Sequence, residues 1–108
     1  MFEIFKSAKA GDFRFRLKAR NGQIILTSQG YKSKKSCLIG VESVRKNSQV
    51  ENYFEKKEGK NGKFHFHLIA RNGEIVGSSQ MYKTKRTMQI GIDAVKKNAP
   101  EGSVKDLT

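Results

Sequence analysis

The 108-residue chain carries 36% hydrophobic and 30% charged residues, enough apolar content for one modest core and too much for a disordered chain. Its 22 Lys+Arg against 10 Asp+Glu give a formal charge of +12, and the single cysteine, Cys37, excludes an internal disulfide. No run approaches the ~18 apolar residues of a membrane-spanning helix, and the opening Met1–Phe5 enters strand-like sequence without a charged leader or apolar h-region, which points to a cytoplasmic location.

From the N-terminus, Phe2 to Lys6 reads as a first strand, followed by a turn at Gly11. Phe13, Phe15, Leu17 and Ala19 then alternate with Arg14, Arg16, Lys18 and Arg20, the period of two of a half-buried strand. Asn21-Gly22 predicts a two-residue type I′ hairpin turn. That register places Ala19/Ile24, Leu17/Leu26 and Phe15/Ser28 on the inner face, with Lys18/Ile25 and Arg16/Thr27 outside. Ser33 is a plausible N-cap for a helix whose apolar stripe is Cys37, Gly40, Val41, Val44 and Ser48. Gly40 on that stripe implies a close approach to the sheet, and Asn47 suits a left-handed stop.

Residues 64–99 repeat residues 13–48 at an offset of 51 without gaps. Phe-x-Phe-x-Leu-x-Ala-Arg-Asn-Gly recurs, as do Ser-Gln-x-Tyr-Lys and Ile-Gly-[Val/Ile]-x-x-Val-x-Lys-Asn. A strand within Val50 to Lys57 and a turn at Asn61-Gly62 precede the second hairpin, whose turn is Asn72-Gly73. Its expected inner pairs are Ala70/Ile75, Leu68/Gly77 and Phe66/Ser79; its outer pairs are His67/Ser78 and Ile69/Val76. The apolar Ile69/Val76 pair reads as a contact with the chain's own tail. Thr84 caps a second helix with the stripe Met88, Gly91, Ile92, Val95 and Ala99, Asn98 matches Asn47, and Ser103 to Leu107 closes the chain as a short strand. Two copies are too few for a solenoid, so they share one core about a pseudo-twofold axis. The expectation is a single domain over 1–108, with repeats of about 1–51 and 52–108 and both helices on one face of a shared sheet.

The motif Phe-x-Phe-x-Leu-x-Ala-x-Asn-Gly-x-[Ile/Val], then Tyr-x-[Ser/Thr]-Lys, then Gly-[Ile/Val]-x-x-Val-x-x-Asn, resembles the YegP-like family of small bacterial proteins over nearly the whole chain. The resemblance implies an α+β fold of two tandem β3-α-β modules. By that resemblance the modules would form one mostly antiparallel sheet and exchange C-terminal strands, and a chain that already holds both modules is expected to be a monomer. Ile39 and Ile90 stand where the family usually has a polar residue, and Gln29 and Gln80 where it has Glu. The resemblance lends no activity.

Residue chemistry argues against an enzyme. His65 and His67 lie two apart on one strand with no third metal ligand placed beside them, and their counterparts in the first copy are Arg14 and Arg16. Cys37 falls on the apolar stripe as a core filler, the acids are scattered, and no phosphate-binding glycine loop or cofactor motif occurs. Both halves are basic, with 11 cations and 4 acids up to Glu51 and 11 and 6 beyond it, a field that draws polyanions.

Two features could use that field. Each helix begins with cations and hydroxyls, Lys32-Ser33-Lys34-Lys35-Ser36 and Lys83-Thr84-Lys85-Arg86-Thr87, against the preference of a helix N-terminus for acids. Cations, hydroxyls and free amides together suit an anion. The outer sheet face gathers Arg14, Arg16, Lys18, His65 and His67, with Phe5 beside them, as a nucleic-acid platform would. Lys and Arg side chains extending into solvent account for the helix starts without a ligand, and the sheet face has few aromatics and no RNA-recognition run. The sequence therefore reads as a cytoplasmic, non-enzymatic binding or accessory module without cofactor, favouring an anionic partner such as nucleic acid or an acidic protein. The alternative is a nucleic-acid-binding protein using that sheet face and the helix starts.

Overall fold

The computed structural model describes residues 1–9 and 11–108. In chain order its elements are β1 (Phe2–Lys6), β2 (Phe13–Lys18), β3 (Ile24–Thr27), α1 (Lys34–Asn47), a 3-10 turn (Glu51–Tyr53), β4 (Phe54–Glu58), β5 (Phe64–Ile69), β6 (Ile75–Ser78), α2 (Lys85–Asn98) and β7 (Val104–Asp106). The strands form one seven-stranded sheet in the order β4-β5-β6-β3-β2-β1-β7. All neighbours are antiparallel except β1 and β7. Both helices cover one face, and each crosses the boundary between repeats: α1 packs on β2 but also on β5 and β6, α2 on β5 but also on β2 and β3. The expected α+β architecture is the one observed.

The boundary itself is thin. Its register is the single pair Thr27↔Ser78, two residues that occupy the same position in the repeat. Equivalent residues facing each other across an antiparallel pair place the pseudo-twofold axis between them. Next to it lies Leu26, whose repeat partner is Gly77, and a Cβ at Gly77 would sit 2.8 Å from Leu26 Cγ. One leucine thus fills the space that two symmetric side chains would contest.

The buried core gathers Phe2, Phe15, Leu17 and Leu26 under the stripe Cys37, Val41 and Val44, with Phe54, Phe66, Leu68 and the stripe Met88, Ile92 and Val95 in the second repeat. Each repeat stacks its aromatic residues alike. Phe15 lies against Tyr31 and Phe66 against Tyr82, both with centroids 6.3 Å apart. The helix glycines make room for these tyrosines: a Cβ on Gly40 would fall 2.4 Å from Tyr31 Oη, and one on Gly91 2.2 Å from Tyr82 Oη. The close approach expected at Gly40 and Gly91 is therefore to a tyrosine hydroxyl carried on the sheet.

The hairpins differ from the two-residue turns expected. Only glycines take positive φ, Gly22 at 85° and Gly73 at 88°, so Asn21 and Asn72 do not adopt the left-handed conformation of a type I′ turn. Instead Gly22 N–H donates to Ala19 O and Ala19 N–H to Gln23 O, a three-residue loop that advances the register by one. A bulge between Leu17 and Lys18 restores it. Leu17↔Leu26 and Arg16↔Thr27 pair as expected, but Lys18 faces Ile24 rather than Ile25. Ile25, expected outside, is buried, and Ile24, expected inside, is exposed. The second hairpin repeats the pattern, with Ile69↔Ile75 in register. Val76 enters the core and does not meet the tail, since β7 lies beside β1. Asn47 and Asn98 are likewise not left-handed; their amides donate back to Ser43 O and Ala94 O.

The exchange of C-terminal strands is one-sided. After α2, β7 crosses to pair with β1 in parallel, Phe2↔Val104 through Ile4↔Asp106. After α1 the chain makes the 3-10 turn and runs directly into β4. Among the described residues, β4 pairs only with β5 and forms the opposite edge of the sheet.

The Leu26–Gly77 fit gives a direct test. Leu26→Gly should destabilise by about 2–5 kcal/mol or more through the cavity left, and Gly77→Leu by about 1–3 kcal/mol through overpacking. Combining them exchanges the two residues across the axis and should recover much of the loss. Urea unfolding of the three variants measures this, and strictly additive losses would contradict the shared site.

Candidate functional site

The two helix starts have the same local construction. Ser33 Oγ accepts from Ser36 N–H at 3.1 Å, and Thr84 Oγ1 from Thr87 N–H at 3.0 Å. In α2 the cap is reciprocal, because Thr87 Oγ1 also accepts from Thr84 N–H at 3.3 Å. These caps take up the third-position amides and leave those of Lys34 and Lys35, and of Lys85 and Arg86, without an intrahelical acceptor. Neither first turn contains an acid.

Their tertiary surroundings differ. Lys34 Nζ donates to Asp106 Oδ2 at 2.8 Å, so the tail strand delivers a carboxylate to the first helix start. Hydrogen bonds from Lys34 and from Thr108 hold the Asp106 carboxyl well below the usual carboxylate range. Lys34 is half-buried there, whereas Lys32, Ser33, Lys35 and Ser36 are exposed. The whole second start, Lys83, Thr84, Lys85, Arg86 and Thr87, is exposed, and among the described residues none of its cations forms an ion pair. Sequence reasoning found the cations and missed the acid, because nothing local to Asp106 marks it. Only the β1–β7 register carries it to Lys34.

The outer sheet face is less open than its composition suggests. Arg16 Nε and Lys18 Nζ both reach Glu3 Oε1, at 2.8 and 3.3 Å. Glu3 is only 7% exposed, and the hydrogen bond from Arg16 is the main cause of its lowered pKa. The Arg16 guanidinium lies 4.7 Å from the centre of the Phe5 ring, covering the aromatic surface a base would stack on. Arg14 pairs with Asp12 at 3.3 Å. In the second repeat His65 and His67 sit edge to face, 5.1 Å between centroids, and His67 Nδ1 bonds Ser78 Oγ at 2.8 Å. Among the described residues no group of three or more His, Cys, Asp or Glu side chains converges. Burial pushes the Cys37 thiol up to about 11, so it stays protonated at neutral pH and packs as an apolar side chain.

Two hairpin-and-helix repeats sharing a sheet about a pseudo-twofold axis, each with a basic helix start, define a small tandem-repeat α+β protein. The family model described as Domain of unknown function (DUF1508) matches residues 8–55 and again 60–106, and the chain belongs to this family. It is 52% identical to a UPF0339 protein of Pseudomonas aeruginosa, over 94% of this chain and 92% of that one. It is 51% identical to the UPF0339 protein YegP of Escherichia coli strain K12, over 99% and 96%. A solution NMR structure of yegP from E. coli, a protein of unknown function, superposes with a TM-score of 0.93 at 51% identity, covering 99% of this chain and 91% of that one. A second, from Shewanella oneidensis, gives 0.92 at 42% identity, covering 99% and 90%. The resemblance carried by the repeated motif thus holds for sequence and backbone alike. No described helix is long and apolar enough to cross a membrane.

The histidine pair predicts a pH dependence of stability. Burial first, and the charge of His65 second, hold the His67 imidazole below its ordinary 6.5, while Glu55 works the other way. Above 6.5 the ring is neutral whether the chain is folded or not, and its contribution is complete. As the pH falls below 6.5, the unfolded chain takes up a proton that the folded chain resists, so stability drops. Urea midpoints between about pH 7.5 and 5.5 should fall for the parent and stay flatter for His67→Gln.

Proposed function

We propose that this protein is a cytoplasmic, non-enzymatic binding module whose partner is anionic, and that the start of α2 is where it engages that partner. The observation that carries the reading is the contrast between the two helix starts. The first binds a carboxylate of its own chain, Asp106, through Lys34. The second has an equivalent hydroxyl cap and an equal number of cations, with Arg86 in the place of Lys35, and forms no ion pair among the described residues. Cations in a first turn cost a helix several tenths of a kcal/mol, a cost that a bound anion offsets. Nucleic acid on the outer sheet face is the weaker reading, because Arg14, Arg16 and Lys18 are already paired with acids and Phe5 lies under a guanidinium.

A titration with inorganic phosphate, followed by backbone amide signals at constant ionic strength, tests the proposal. The amides of Lys85 and Arg86 should shift clearly more than those of Lys34 and Lys35. Lys85→Glu should remove the shifts and raise stability in phosphate-free buffer by about 0.3–1 kcal/mol, since an acid suits the helix dipole. Shifts at α2 no larger than at exposed strand residues would overturn the proposal. Salt-sensitive oligonucleotide binding centred on Arg14 and Arg16 would replace it with the sheet-face reading.

A further inference from the structure

We propose that the free edge of β4 is a docking site for an extended acidic segment of another protein, which adds to the sheet as an eighth strand parallel to β4. The proposal rests on the anionic-partner reading above and specifies the shape and chemistry of that partner.

The pseudo-twofold axis defines the site. It relates β1 to β4: Phe2↔Leu17 in one repeat corresponds to Phe54↔Leu68 in the other, and Ile4↔Phe15 to Lys56↔Phe66. Beside β1 lies β7, and the matching position beside β4 holds no strand among the described residues. The backbone there is set for one. Pairing of β1 leaves its even-numbered residues facing β7, with Phe2 N–H donating to Ser103 O and Ile4 O accepting from Leu107 N–H. By the same alternation Phe54, Lys56 and Glu58 turn their backbone groups outward from β4. The Phe54 N–H is taken by Glu51 O in the 3-10 turn, so the open edge begins at the Phe54 carbonyl.

Side chains add selectivity. Where β7 would sit, there is a groove of about 350 Å³ lined by Lys56, Lys57, Glu58, Phe64, Lys85 and Met88. Their repeat-one counterparts include Phe13, Lys34 and Cys37, over which β7 places Asp106. Two inner-face positions change on the edge strand itself: Ile4 becomes Lys56, which gives the vacant position a second cation beside Lys85, and Lys6 becomes Glu58, which puts an acid at the far end of the strand. The internal complex between β7 and β1 therefore specifies the ligand. An apolar residue lies opposite Phe54, where Val104 faces Phe2. A carboxylate follows two positions on, opposite Lys56, where Asp106 faces Ile4, and it reaches Lys85 as Asp106 reaches Lys34. Strand addition supplies main-chain hydrogen bonds, and the alternate side chains select. The lysines also choose among occupants. Lys56 and Lys57 on an open edge repel another basic strand. The chain's own β7 is retained beside β1 by its ladder and by Lys34.

The test uses the intact protein, isotopically labelled, and a capped acidic synthetic peptide, Ser-Val-Glu-Asp-Leu-Thr, which is the tail sequence with Glu in place of its lysine. At millimolar peptide the amides of Lys56, Glu58 and Lys85 should shift in concert, and the shifts should weaken as salt is raised. Asn in place of the peptide's Asp, and Lys85→Glu in the protein, should each weaken binding several-fold. Lys56→Pro removes an outward N–H without touching the β5 ladder, and it should abolish peptide binding while leaving the phosphate shifts at Lys85 and Arg86 in place. Phosphate shifts without any peptide shifts at β4 would overturn strand addition and leave the anion reading standing; loss of both would overturn both. Peptide shifts confined to β1 and Lys34 would mean exchange with β7, and a concentration-dependent dimer with protected β4 amides would make the occupant a second copy. Either result would overturn the proposal.

Discussion

The structure depends on a junction that the sheet alone cannot hold. The two repeats meet through one register pair, Thr27↔Ser78, between strands of four residues each. Few hydrogen bonds form across so short a contact, each worth only about 0.5–1.5 kcal/mol net. The helices supply the rest. Val41 and Val44 of α1 and Ile92 and Val95 of α2 are almost fully buried, on helices that span strands of both repeats. Burying a side chain of this kind contributes about 1.5–3 kcal/mol, so the helix stripes outweigh the ladder in joining the halves. The glycine on each stripe follows from that requirement, because a helix lying over the seam must also clear the tyrosine hydroxyl beneath it.

Duplication gives the two halves the same parts but cannot give them the same neighbours. Leu26 and Gly77 show it at the axis, where only one side chain fits. The edges show it on a larger scale. Among the described residues one tail strand follows α2 and covers β1. The corresponding chain after α1 is used up in connecting to β4. Ile4 beside the covered edge is buried, and Lys56 beside the free edge is exposed, as each edge's contact with water requires. The same asymmetry separates Lys34, bound to Asp106, from Lys85, which faces solvent.

Charge follows the same division. Glu3 gathers Arg16 and Lys18 on the outer face of the first repeat, and Asp12 takes Arg14. The second repeat has His65 and His67 in place of those arginines and holds one of them in a hydrogen bond to Ser78. Among the described residues the cations at the start of α2 and Lys56 of β4 form no ion pair, whereas Lys57 pairs with Glu55 and the arginines of the outer face with Glu3 and Asp12.

Sequence by itself determined the repeat, its strands and helices, the caps at Ser33 and Thr84, and both buried stripes, because these depend on periodicity and on hydrogen bonds that close within a few residues. It also placed Leu17 opposite Leu26 and His67 opposite Ser78. It misplaced Ile24 and Ile25 and their counterparts, because a three-residue loop and a bulge leave the same total register as a two-residue turn while reversing the faces between them. The basic helix starts were legible as a cluster of charge. Which of them is already satisfied was decided only by the tertiary structure. That depends on a parallel strand pairing between residues some hundred positions apart, and on the stretch after α1 running into β4 instead of pairing beside it.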